Sequence, residues 1–263
     1  RNHKMKKSHL LILAGVLVLL VTMCICISAE DTAGDTTVAK IGTTGYTSLA
    51  QAINAAKDGD TIIVTADTTL SETLEVKNKN ITIKSESADD IKTITYVSNY
   101  ISIGNWDGDI ASSVTLENIT VTKQAGSDNG TYAFLRPIKN GKAILNSGAT
   151  IKSSSSMHAG AIFCEGGDAI MNDGALLDGC SNDYRSGAVH VDSGSFTMNG
   201  GTISNSVNGA VGLGNGSAAS TDATITLNGG TITGTTGRAA VKTYNGTSIT
   251  ISDNVVFSGN TVA

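Results

Sequence analysis

Proline is almost absent from these 263 residues: Pro137 is the only one. Aromatic residues make up 4% of the chain, with a single tryptophan, Trp106. Of the four cysteines, Cys24 and Cys26 lie near the start, leaving Cys164 and Cys180 in the body. Neither a CxxC pair nor a His-Cys cluster is present, which removes the usual zinc arrangements. A phosphate-cradling Gly-rich loop and a nucleophile elbow are also missing, so nucleotide hydrolysis and serine-hydrolase chemistry find no support. Even so, an apolar content of 40% supplies a core, and wholesale disorder is not expected.

Basic charge is scarce once the first segment is set aside. Lys4, Lys6 and Lys7 precede an apolar run from Leu10 to Ile27, and Ile27-Ser28-Ala29 ends in a small residue. Residues 1–29 are therefore expected to be a secretory signal, with an uncleaved membrane anchor as the alternative because the run is long. The residues before Cys24 fit a lipoprotein cleavage box poorly. Arg1, Lys4, Lys6 and Lys7 leave with the segment, so the net charge moves from −5 to −9. An acidic body of this kind argues against nucleic acid as a partner, and confines any membrane contact to the N-terminal segment.

What the chain has in abundance is Gly, Ser, Thr and Asn in a recurring frame. FTMNGGTISNS from Phe196 returns as ITLNGGTITGT from Ile225, and more loosely as AILNSGATIKS from Ala143 and AIMNDGALLDG from Ala169. The repeated residues Asn146, Asn172, Asn199 and Asn228 are 26, 27 and 29 positions apart. A period in the twenties with this composition marks a solenoid. A second element lies upstream: GAIFCEGG from Gly160, GAVHVDSG from Gly187 and GAVGLGNG from Gly209. Between the third copy and its Asn the spacing is seven residues longer, which predicts an insertion at one corner.

Strand side chains alternate between faces. Phe196 and Met198 should therefore stack on Ile225 and Leu227 and on Ala169 and Met171, inside the solenoid. Ile162 and Cys164 should stack on Val189 and Val191, then on Val211 and Leu213. The four Asn residues fall at one corner and are expected to form an amide ladder that satisfies turn backbone groups. Cys164 is expected to be a buried thiol, and a Cys164–Cys180 disulfide is the alternative in an exported protein.

On these NGGTIS-type repeats and their Asn ladder, the chain from about Ile41 onward resembles the right-handed parallel β-helix proteins, the pectate-lyase-like solenoids of bacterial secreted and surface proteins. The resemblance implies an all-β fold with a short N-terminal capping helix. It covers polysaccharide lyases, polysaccharide hydrolases and non-enzymatic adhesins alike, so the fold does not choose among them. The Asp-rich and Gly-His-Gly signatures of the polygalacturonase-like enzymes are absent. Residues 30–263 are read as one such domain, monomeric, and expected to continue beyond Ala263 because SGNTVA provides no cap.

Thr47–Lys57 carries apolar residues at Leu49, Ala52, Ile53 and Ala56, the helical stripe, with Thr47 or Ser48 as cap and Asp58-Gly59 as stop. Thr61–Thr65, Leu74–Val76, Ile81–Lys84 and Val114–Val121 read as early strands. Ser98–Ser113 reads as an interruption. It holds Trp106 beside the acidic residues Asp107 and Asp109, a candidate for stacking on a sugar or for Ca²⁺.

The best chemical constellation spans two rungs. Phe163 and Glu165 should face outward, with His190 and Asp192 in the equivalent places one rung on. Glu165 and Asp192 each lie 7 before their Asn, and His158 and Arg185 each lie 14 before it. Stacked carboxylates about one strand spacing, roughly 5 Å, apart could split their pKa values and serve as acid and base in retaining glycoside chemistry. Gly212 and Gly214 on the next rung should leave an open shelf. The function expected is a secreted or cell-surface module that binds glycan or another surface ligand through Phe163, His158, Trp106 and Tyr184, or a surface scaffold. The alternative is a carbohydrate-active enzyme using Glu165, Asp192, His190 and Arg185, with no cofactor other than Ca²⁺.

Overall fold

The computed structural model describes residues 36–127, 130–214, 222–243 and 248–262. The expected leader, residues 1–29, lies outside them. The unit Thr37–Ala263 is a parallel β-solenoid of about 7 turns, and among the described residues 51% are strand and 3% helix. The described strands form a 15-stranded and an 8-stranded sheet. All named pairings are parallel except those of Ala39–Ile41, which runs antiparallel to Thr44–Tyr46 and Thr61–Val64.

The larger sheet holds two side-by-side stacks. In one, Leu74–Val76, Ile101–Ile103, Leu135–Pro137 and the front of Ile162–Met171 follow each other, then Val189, Val211 and Val241 in register. In the other, Asn80–Ser85, Ser112–Glu117, Gly141–Leu145 and the back of Ile162–Met171 lead on to Val189–Met198, Thr224–Leu227 and Ser248–Ile251. The smaller sheet closes the rung. Its inward residues Ile94, Val121, Ile151, Leu177, Ile203 and Ile232 are fully buried.

The inward columns match the alternation. Ala169, Phe196 and Ile225 align, as do Met171, Met198 and Leu227, and all are buried. Ile162, Val189 and Val211 form another column, and Cys164, Val191 and Leu213 a third. With few aromatics in the chain, the rungs are filled mostly by aliphatic side chains, joined by the buried rings of Tyr96, Phe134 and Phe196. Both body cysteines are free and buried. Burial pushes the Cys180 thiol up to about 12 and raises that of Cys164 further.

The helix is shorter than its pattern, Leu49–Ala55, with Ser48 as the cap accepting from the Gln51 amide. Leu49, Ala52, Ile53 and Ala56 are buried against the first turns, as the stripe requires. Val114–Val121 is not one strand. It divides into Ser112–Glu117 and Ile119–Lys123 around Asn118, whose φ of 45° turns the chain from one sheet to the other. Asn tolerates that left-handed region better than most residues, and Asn78, Asn140, Asn205 and Asn208 stand in the same conformation. Ser98–Ser113 does not interrupt the stack either: Ile101–Ile103 pairs with both neighbouring rungs, and only the following loop leaves it.

The Asn column is joined side chain to side chain. Asn172 Nδ2 donates to Asn146 Oδ1 (2.9 Å), Asn199 to Asn172 (2.9 Å) and Asn228 to Asn199 (3.0 Å). Its acceptors are neighbouring amides rather than the turn backbone expected for it, and Asn199 and Asn228 are exposed. The insertion falls where the register places it. Leu213 aligns with Val191 and Thr224 with Ser195, so the extra residues lie between Leu213 and Thr224, largely outside the described residues.

Candidate functional site

The outward column of the front stack reads Arg136, Phe163, His190, Gly212 and Lys242. The turns that enter these strands fold back over it. A bridge between Ala159 and Ser186 brings His158 and Arg185 onto consecutive rungs of that turn column. The sequence thus places aromatic, basic and acidic side chains on two adjoining columns, and the turns press them together.

A ring stack results. Tyr132 lies 5.1 Å from His158 and 6.0 Å from Phe163, nearly parallel to both. His158 is 5.0 Å from Phe163, and Phe163 is 6.3 Å from His190. Tyr100 meets the edge of Tyr132 at 5.1 Å. Two guanidinium groups lie against these rings: Arg136 is 3.8 Å from the Tyr132 centroid and Arg185 is 5.2 Å from that of Phe163. Such contacts gain strength when partly desolvated.

Phe163 and His190 do point away from the solenoid interior, but they are not exposed, at 1% and 0%. Ala133, Ala159 and Tyr132 from the folded-back turns bury Phe163 in a small second cluster. Gly212 and Gly214 form no open shelf. Both are buried, since Ser186 packs where a Gly212 side chain would sit and Gly214 lends its carbonyl to His190.

The two carboxylates are not stacked in register. After Cys164 aligns with Val191, Glu165 aligns with Ser193, a bulge that displaces Asp192. Each carboxylate has its own arginine. Glu165 Oε2 accepts from Arg136 Nε (2.8 Å) and Nη2 (2.5 Å). Asp192 is paired with Arg185 and lies 3.2 Å from His190 Nε2. The same Nε2 is 3.0 Å from the Gly214 carbonyl. Both partners are acceptors, so Nε2 carries the ring hydrogen.

Burial lowers the pKa of both His158 and His190 below the usual histidine value, and the Arg185 charge lowers His158 further. Burial acts to raise the Asp192 carboxyl, but hydrogen bonds from His190 and Arg185 outweigh it and the net shift is downward. Lys242 is pulled down to about 8 by burial and then by Arg238. Its Nζ donates to the Arg185 carbonyl (2.5 Å), and Arg238 Nη1 donates to the Tyr184 carbonyl (2.7 Å). These two cations hold the 183–185 turn by its backbone, while the Tyr184 side chain stays 68% exposed.

Trp106 is 49% exposed, and its ring lies against Gly166, the neighbour of Glu165. A Cβ on Gly166 would stand 3.4 Å from the indole, and the φ of +104° there also favours glycine. Asp109 is almost fully exposed and lies 3.7 Å from Lys139, while the Asp107 amide is held by Asn105. Among the described residues no group of three His, Cys, Asp or Glu side chains is placed to hold a metal ion.

The site therefore gathers Phe163, Glu165, His158, His190, Asp192 and Arg185, with Trp106 beside Glu165 and Tyr184 on the rim. Sequence reasoning missed Arg136, Tyr132, Tyr100 and Lys242. Arg136 had a readable signal: it precedes Phe163 by 27 residues, as Phe163 precedes His190. No family model matches this chain, and neither does any curated protein or solved structure.

Proposed function

We propose that this chain is an exported, monomeric β-solenoid that binds a glycan along the aromatic and arginine strip, in the manner of bacterial surface β-helix modules. The observation that carries the reading is the half-exposed ring series Tyr100, Tyr132 and His158, with Trp106 close by at Gly166. Aromatic faces cover the apolar faces of sugars, and the adjoining Arg136–Glu165 and Arg185–Asp192 pairs offer polar atoms at fixed heights. Export is supported by the Lys-rich start and apolar run of residues 1–29. A body charge of −9 disfavours nucleic acid.

The binding reading is favoured over the hydrolase or lyase reading by the state of the carboxylates. A general acid at neutral pH needs a raised pKa, whereas that of Asp192 is lowered, and the Glu165 carboxylate is already engaged in a two-point contact with Arg136. The test is a glycan array and a polysaccharide-digestion screen on the purified full chain. Retention without new reducing ends or unsaturated products, reduced in Trp106→Ala and Tyr132→Ala, supports binding. Products that vanish in Glu165→Gln or Asp192→Asn would establish the enzyme instead.

A further inference from the structure

A second concavity lies across the corner from the strip, where the 104–111 loop folds over the back stack. Its volume is about 300 Å³, the lower end of small-molecule sites. Lys142, Asp168, Asn140, Ile144 and Ala111 line it, with Asn80 and Ser113 at one end. Lys142 and Asp168 are register partners on adjacent rungs, so they stand about one strand spacing, roughly 4.8 Å, apart at the backbone.

Most of the surrounding polar groups are already engaged. Asn80 binds Asp58 and receives Ser113, Ser112 Oγ accepts from the Asn78 amide, and Asn140 Nδ2 donates to the Gly108 carbonyl. Asp168 Oδ1 accepts from Ser195 (2.6 Å). Lys142 Nζ and Asp168 Oδ2 make no hydrogen bond or ion pair with the described residues, although both side chains are half-buried. A cation donor and a carboxylate acceptor thus stand side by side without closing on each other, next to the half-buried aliphatic face of Ile144.

We propose that this cleft is a saccharide subsite that recognises a vicinal diol. One hydroxyl accepts from Lys142, its neighbour donates to Asp168, and the carbon face of the pyranose lies on Ile144. The pairing needs a ligand that both accepts and donates at adjacent atoms, which a carboxylate, a phosphodiester or an ammonium group does not do. Gly141 sets the depth of the wall: a Cβ there would fall 1.8 Å from the Ile103 carbonyl, so the chain can pass this close only without a side chain. The inference rests on the glycan reading for ligand class alone, since none of the strip residues lines the cleft.

The probes are methyl α-mannopyranoside, methyl α-galactopyranoside and methyl α-glucopyranoside, titrated against the full chain by saturation-transfer NMR. At least one is expected to bind, with affinity falling about tenfold or more in Lys142→Met and in Asp168→Asn, the loss of one charge-assisted hydrogen bond. Lys142→Arg, which keeps a donor, is expected to retain binding, and circular dichroism checks that each variant folds. Binding by none of the three, or binding that survives both Lys142→Met and Asp168→Asn, overturns the proposal. Trp106→Ala and Tyr132→Ala separate the two sites. If they abolish polymer retention while glycoside binding persists and depends on Lys142, both readings stand. If polymers are never retained but glycosides bind, only the strip reading falls.

Discussion

Replacing Asn172 by alanine removes two rungs of the amide ladder, because Asn172 donates to Asn146 and accepts from Asn199, each at 2.9 Å. An intramolecular hydrogen bond contributes about 0.5–1.5 kcal/mol net. Asn146 is only half-buried and Asn199 is exposed, so the orphaned amides regain water and the lower half of that range applies. The expected loss is about 1–2 kcal/mol for Asn172→Ala. Asn228 makes one ladder bond, to Asn199, and Asn228→Ala should cost about half as much. Asn172→Asp should be worse than alanine at neutral pH. It keeps an acceptor for Asn199 but sets a carboxylate oxygen against Asn146 Oδ1, and protonation in acid should restore part of the loss. Stability in a solenoid is close to a sum of rung and neighbour terms, so the order of effects carries the test. Urea unfolding followed by far-UV circular dichroism reads it as midpoint shifts. Equal losses for Asn172→Ala and Asn228→Ala, or no loss in either, would refute the ladder as a source of stability.

Two further outcomes follow from burial. His158 and His190 have pKa values below their unfolded value, near 6.5. The unfolded chain therefore takes up protons first, and stability should begin to fall as pH drops through that value. A second loss should follow below 3.8, as Asp192 protonates. His190→Gln should flatten the urea-midpoint slope between pH 7 and 5; an unchanged slope would count against the burial argument. Cys164 and Cys180 should resist iodoacetamide in the native chain and react fully in denaturant, since burial disfavours both thiolates. Rapid native alkylation would contradict their place in the core.

The solenoid was legible because its code is redundant. A period-two alternation written over several rungs fixes which residues stack, and Phe196, Ile225, Met171 and Met198 fell where it put them. The corner at Asn118 was missed although the sequence marks it: the apolar alternation slips by one residue there, from Val114 and Leu116 to Ile119 and Val121, and the positive φ of Asn118 makes the turn. The site was half legible. The 27-residue step aligned Phe163 with His190 and His158 with Arg185. Alternation distinguishes inside from outside, but it does not report whether a turn folds back over an outward residue, so the burial of Phe163 and His190 was not visible. Nor could spacing reveal the bulge after Cys164, which leaves Asp192 without a register partner and separates it from Glu165.

The most direct test of the binding account is polymer retention measured beside product formation, on the full chain and on Trp106→Ala and Tyr132→Ala. The account predicts retention of at least one glycan, weakened in both variants, with no cleavage in any. Cleavage that depends on Glu165 or Asp192, or retention indifferent to Trp106 and Tyr132, would contradict it.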